Sequence, residues 1–231
     1  MIGAGIVLLS VGAADLIRQY VPRRAWPAAF ALGAIVVLIG SAGADAAVWC
    51  FVAVATVALW MLGTPGRRGG KTGLWPVVLV AAVCLLSVAL AGVRADQGPL
   101  AQLWPTASPL GALSLDAGVL VLGSIVFLTE SGNVVVRAAL RDGQLPDEEP
   151  VALKGGRLIG PLERVLVFSL TLTGAFTLLA AVLAAKGIVR FPEISRDTDA
   201  GTRAEYFLIG SLVSWVTALG AAFLVWWGGA G

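Results

Sequence analysis

Glu130, Asn133 and Arg137 interrupt an otherwise apolar run from 116 to 140. At about 100° per residue, Asn133, Arg137 and Arg141 fall at about 300°, 340° and 20° round a helix from Glu130, so the four share one face. A carboxylate, an amide and guanidinium groups on one face suit anion binding or the gating of a polar path. They do not suit contact with hydrocarbon, where an unpaired ionised group is costly. A second set brackets the next apolar run, with Glu163 and Arg164 at its start and Lys186 and Arg190 at its end. As one helix, Arg164 to Lys186 would span about 33 Å, so these two would mark opposite membrane interfaces. Glu205 and Tyr206 open the last apolar run beside that charged ridge.

The composition removes much other chemistry. There is no histidine, hence neither the commonest general base nor the commonest metal ligand. Cys50 and Cys84 sit inside apolar stretches, where they read as small buried side chains rather than a disulfide or thiolate site. The glycines of 67–72 lack phosphate-loop spacing and follow no strand, so no nucleotide site, metal or cofactor is expected. An intramembrane enzyme acting on a phosphorylated lipid would need Glu130 or Glu163 as its base. No paired acidic motif holds a metal for it, so the enzyme reading stays open but ranks last.

The elements that must position these residues are membrane helices. Of 231 residues 58% are hydrophobic and 13% charged, about half the charged share of a soluble domain. A bilayer core about 30 Å thick takes roughly 20 apolar residues per helix. Seven apolar stretches qualify, 2–17, 27–44, 46–62, 74–93, 116–140, 162–185 and 204–227, giving an all-α polytopic bundle of about seven spans. The first begins at Met1 without a basic leader and reads as a span rather than a cleaved signal. Asp45 alone separates the second from the third, a tight hairpin. Residues 91–115 carry Pro99, Pro105 and Pro109 and read as an extracytoplasmic segment too broken for a spanning helix. The chain divides into 1–115, with four helices and that loop, and 116–231, with three, the two forming one integrated bundle.

Ser169, Thr173 and Thr177, and Gly210, Ser214 and Thr217 with Tyr206, repeat at helical spacing, which suits close helix contact. With the N-terminus outside and the C-terminus cytoplasmic, eleven of the 16 basic residues fall on the cytoplasmic side. The exception is the connection after the sixth span, where Lys186, Arg190, Arg196 and Arg203 would lie outside.

Three segments, Gly156 to Arg164, Ala184 to Phe191 and Ala204 to Ser214, resemble an uncharacterised bacterial family of multi-span membrane proteins, with Gly132 to Arg137 also similar. The resemblance covers the C-terminal half. It implies a bacterial inner-membrane location and that Glu163, Arg164, Lys186, Arg190, Glu205 and Tyr206 form one recurring constellation, and it implies no known activity.

Two functions follow as expectations. One is transport or binding of an anionic small molecule or lipid headgroup through a polar seam between the last three spans. The other is a non-catalytic membrane anchor or regulatory subunit, with a protein partner or a second copy of the chain. Membrane lipids are the expected surroundings, and nucleic acid is not an expected partner.

Overall fold

The computed structural model describes residues 1–64, 73–90, 98–104, 113–142, 156–195 and 200–229, and among these the secondary structure is helical with no strand. The helices are α1 (Ile2–Tyr20), α2 (Trp26–Gly43), α3 (Ala47–Gly63), α4 (Trp75–Ala89), α5 (Pro99–Gln102), α6 (Leu115–Asp142), α7 (Gly156–Leu172), α8 (Phe176–Ser195) and α9 (Ala200–Gly229). A single 3-10 turn at Arg23–Ala25 leads into α2.

Among the described residues four segments are long and apolar enough to cross a membrane: Ile2–Tyr20, Arg23–Gly43, Leu115–Leu140 and Phe207–Gly229. Shorter apolar helices occur at Ala47–Gly63, Trp75–Ala89 and Phe176–Ile188. The exterior is apolar too, with Leu32, Val36 and Ile39 of α2 and Val48, Phe51 and Leu62 of α3 all exposed. An exposed apolar surface on this scale suits lipid rather than water, consistent with a membrane protein.

The first helix is the axis of the bundle. Of its apolar window 61% is buried, against 6% for α2, because α1 packs on α2, α3, α4 and α6 at once. Its closest partner is α6, which runs parallel to it: Gly5 lies against Leu120, Gly12 against Phe127, and Asp15 meets Ser131. Small residues make that approach possible, since a Cβ on Gly5 would stand 2.7 Å from the Leu120 backbone nitrogen. Gly5→Ala is therefore expected to cost about 1–3 kcal/mol by overpacking, seen as a lower unfolding midpoint of the protein in detergent. An unchanged midpoint would mean that the two backbones are not so close. Because α1 and α6 come from the two halves of the sequence, this contact joins them.

The remaining helices alternate. Trp60 and Thr64 at the end of α3 reach Asp15 and Arg18 near the end of α1, so α3 is parallel to α1. Ser87 near the end of α4 lies by Gly3, and Pro76 at its start lies by Gly63, so α4 is antiparallel. The expected hairpin between α2 and α3 is present, with Asp45 at φ 54 in a left-handed turn that aspartate tolerates better than most residues. The short α5 caps that end, Leu100 meeting Gly43, while Trp104 packs on Gly118 and donates from Nε1 to the Leu113 carbonyl at 2.9 Å. Pro105 and Pro109 lie outside the described residues.

Two expectations need correction. The stretch 162–185 is not one helix. α7 ends at Leu172, the chain turns through Thr173 and Gly174, and α8 starts at Phe176. Gly174 has φ +69, a left-handed conformation that glycine adopts without steric cost. The two helices fold back on each other, so Lys186 Nζ lies 2.7 Å from Glu163 Oε1 rather than at the opposite interface. The same turn breaks the Ser169, Thr173, Thr177 stripe, and all three side chains are exposed; α7 buries Arg164, Val167 and Phe168 instead. The second correction concerns the chain ends. α9 runs antiparallel to α1 and α6, with Gly210 near Val136 and Leu140 and Gly228 against Met1. Seven crossings would set the start of α1 and the end of α9 at opposite ends of the bundle; here they share one.

Candidate functional site

The polar residues gather at the other end of the bundle, called the basic end below, in three linked groups. The first surrounds Asp15. This carboxylate is buried in the last turns of α1, where Ser131 donates to Oδ2 at 2.6 Å and Trp60 Nε1 at 3.0 Å. Arg18, one turn on, approaches Oδ1 at 3.5 Å and donates to the Thr64 carbonyl at 2.8 Å and to its hydroxyl at 3.3 Å. Asp15 thus ties α1 to α3 and α6. On sequence alone it reads as a snorkelling neighbour of Arg18, because its partners Trp60 and Ser131 lie 45 and 116 residues away.

Next to it is a cavity of about 350 Å³, lined by Asp15, Arg18, Gln19, Val21, Arg23, Trp26, Thr64, Glu130, Val134 and Arg137. α1 turns here into α2, with Trp26 Nε1 donating to the Val21 carbonyl at 3.0 Å. Arg23 lies over the Trp26 ring, 5.9 Å from its centroid. Glu130 and Arg137, predicted to face a seam among the last helices, line this cavity between α1, α2, α3 and α6. Glu130 is buried and Arg137 exposed, so the cavity has carboxylates within it and arginines toward its mouth.

Asn133 is turned the other way, into the second group. Its Oδ1 accepts from Arg164 Nη2 at 2.6 Å, and its Nδ2 approaches Glu130 Oε2 at 3.4 Å. Arg164 is 2% exposed. Its Nε donates to the Leu128 carbonyl at 2.8 Å, Nη2 also to the Thr129 carbonyl at 3.1 Å, and Nη1 to Ser214 at 3.4 Å. This guanidinium lies flat on the α6 backbone because residue 132 is glycine; a Cβ there would come 2.5 Å from Arg164 Nε. The planar fork of arginine is what allows one side chain to satisfy α6 and α9 together.

The third group closes the α7–α8 hairpin. Both Glu163 oxygens accept from Lys186 Nζ at 2.7 Å, and Oε1 also accepts from Trp215 Nε1 at 2.8 Å. The ammonium lies over the rings of Phe207 and Trp215, 5.6 and 5.4 Å from their centroids, within cation–π range. Trp215 and Phe207 are not singled out by the sequence; only the turn at Gly174 brings Lys186 back to them.

Of the other predicted residues, Glu205 is exposed near the start of α9. Arg190 and Tyr206 belong to α8 and α9, and their side chains, like that of Arg141, lie outside the described residues, as do the acidic run Asp147, Glu148, Glu149 and the turn 67–72. Cys50 and Cys84 are buried with free thiols, and among the described residues no group of histidine, cysteine and acidic side chains is placed to hold a metal.

Fold and site together define an all-helical protein with several bilayer-length apolar helices, a mixed-charge cavity at its basic end and a clamped helical hairpin beside it. No protein-family model, curated protein or solved structure matches the chain.

Proposed function

We propose that the chain is a bacterial inner-membrane protein that binds or transports an anionic small molecule or lipid headgroup, and that the binding place is the cavity between α1, α2, α3 and α6. The observation that carries this reading is the convergence of Arg18, Arg23 and Arg137 on that one cavity. Guanidinium groups bond phosphate and carboxylate through paired donors, and a cavity near 350 Å³ falls at the small end of ligand sites, about 300–1,000 Å³. The test is binding of inorganic phosphate and of short-chain phosphatidylglycerol to the purified protein, with flux measured after reconstitution. Arg137→Ala is expected to weaken binding about tenfold or more, the loss of one charge-assisted hydrogen bond, with little change in thermal stability because Arg137 is exposed. Equal binding by wild type and variant would refute it.

The finer topology belongs to the same proposal. α1, α2, α3, α4, α6 and α9 cross the bilayer, and the α7–α8 hairpin enters from the basic end and turns back. Glu163 to Gly174 is about 16 Å of helix at about 1.5 Å per residue, half of a core about 30 Å thick. On this topology the connections carrying Lys186, Arg190, Arg196 and Arg203 would join the other basic ones, assigning fifteen of the 16 basic residues of the sequence to one side, Arg94 excepted. That bias makes the basic end cytoplasmic and puts the start of α1 and the end of α9 outside. The constellation of Glu163, Arg164 and Lys186 suggested by the family resemblance becomes the foot of this hairpin.

A non-catalytic anchor or regulatory subunit is the second reading. What favours it is the packing around Arg164, which spends its donors between α6 and α9 on Leu128, Thr129, Asn133 and Ser214, so that this guanidinium holds structure rather than ligand.

A further inference from the structure

The cavity is not uniformly basic, and the arrangement of its charges narrows the ligand. Asp15 and Glu130 are 3% and 7% exposed, whereas Arg23 and Arg137 stand at the exposed rim, with Arg18 between. A ligand carrying only negative charge would gain at the rim and be repelled at the floor, where a lower dielectric strengthens both effects. A ligand bearing both signs matches the gradient from rim to floor. The floor also has acceptor capacity for it: Asp15 Oδ1 is approached by Arg18 only at 3.5 Å, long for a charge-assisted bond, which is commonly about 2.7–2.9 Å.

The kind of cation follows from what lines the floor. A quaternary ammonium is recognised by a cage of aromatic faces, and this cavity has one ring, Trp26, already covered by Arg23. Carboxylates instead read N–H donors, which a primary ammonium supplies and a trimethylated one does not. The anion follows from the topology proposed above, on which Arg18, Arg23 and Arg137 of this cavity would stand at the cytoplasmic surface, near anionic lipid headgroups. We propose that this cavity takes a phosphoethanolamine group, its phosphate among Arg18, Arg23 and Arg137 and its primary ammonium on Asp15 and Glu130. This rests on the anion-binding reading above and adds the second charge.

The phosphoethanolamine can belong to a lipid of the inner leaflet or to a free small molecule, and one titration separates the two. The full chain, purified in mild detergent, is titrated with phosphatidylethanolamine, phosphatidylglycerol, phosphatidylcholine and free phosphoethanolamine, with the unfolding midpoint as readout. Phosphatidylethanolamine is expected to raise the midpoint at concentrations at least about tenfold below those of the other two lipids, one lost charged contact being worth that factor. A matching rise with free phosphoethanolamine assigns a soluble ligand; a rise with the lipid alone assigns the headgroup. Glu130→Gln should erase the preference for phosphatidylethanolamine over phosphatidylglycerol, and Arg137→Ala should weaken both alike. If Glu130→Gln does not fold, the wild-type ranking decides. Phosphatidylglycerol equalling phosphatidylethanolamine overturns the zwitterion, phosphatidylcholine equalling it overturns the primary ammonium, and either result leaves anion binding standing. No response to any of the four ligands overturns both.

Discussion

In cells expressing a variant with Cys50 and Cys84 replaced by alanine, a cysteine at Ser195 is expected to react with a membrane-impermeant maleimide from the same side as one at Gln19. A cysteine at Thr173, although in a turn, should react from neither side. A single spanning helix over 162–185 would place residue 195 on the side opposite residue 19 and would also leave residue 173 at mid-bilayer, so the contrast rests on Ser195. Three observations fix the expectation: the Gly174 turn, the 2.7 Å pairing of Lys186 with Glu163, and the contact of Gly228 with Met1. On the proposed topology the expected contrast is near-complete labelling against almost none. Labelling of Ser195→Cys only from the side opposite Gln19→Cys would end the hairpin topology, and rapid labelling of Thr173→Cys from outside would mean that the hairpin crosses the whole bilayer.

That hairpin shows where sequence reasoning reached its limit. The helical class, the tight α2–α3 turn at Asp45 and the long α6 are legible because hydropathy and capping act locally. The break at Gly174 is not, since Leu172 to Phe176 is as apolar as its flanks and a lone glycine is tolerated within a membrane helix. One signal did point to it: the four basic residues on the side that usually lacks them. The reversal of the chain at Gly174 would, on the proposed topology, remove that anomaly.

For the site, the helical-wheel argument put Glu130, Asn133 and Arg137 on one face of α6, but a face of about 60° can meet two neighbours. Glu130 and Arg137 border α1 and its cavity, while Asn133 reaches Arg164 on α7. Which neighbour each meets depends on α1 packing parallel to α6, and that follows from Gly5, Gly12 and Gly123, residues without chemistry of their own. Arg23 and Trp26 were equally hidden, because a loop arginine and an interfacial tryptophan need no partner to be explained.

Arg164 is expected to give the largest loss of stability of any single substitution at the basic end. Its guanidinium holds two α6 carbonyls, Asn133 and Ser214 together, and truncating one member of a buried charged network typically costs about 3–5 kcal/mol. Arg164→Ala should accordingly lower the unfolding midpoint sharply or prevent recovery of folded protein. Arg164→Lys should restore only part of this, as an ammonium cannot reproduce the planar fork that lies on the backbone at Gly132. Asn133→Ala should cost less, about 1–3 kcal/mol for one buried partner removed. The ordering separates two roles that the sequence leaves together. A ligand-binding arginine would lose binding and keep its stability when truncated, as Arg137 is expected to do at the cavity rim. A structural one loses stability first, and a wild-type unfolding midpoint for Arg164→Ala would move Arg164 from the frame of the protein to its function.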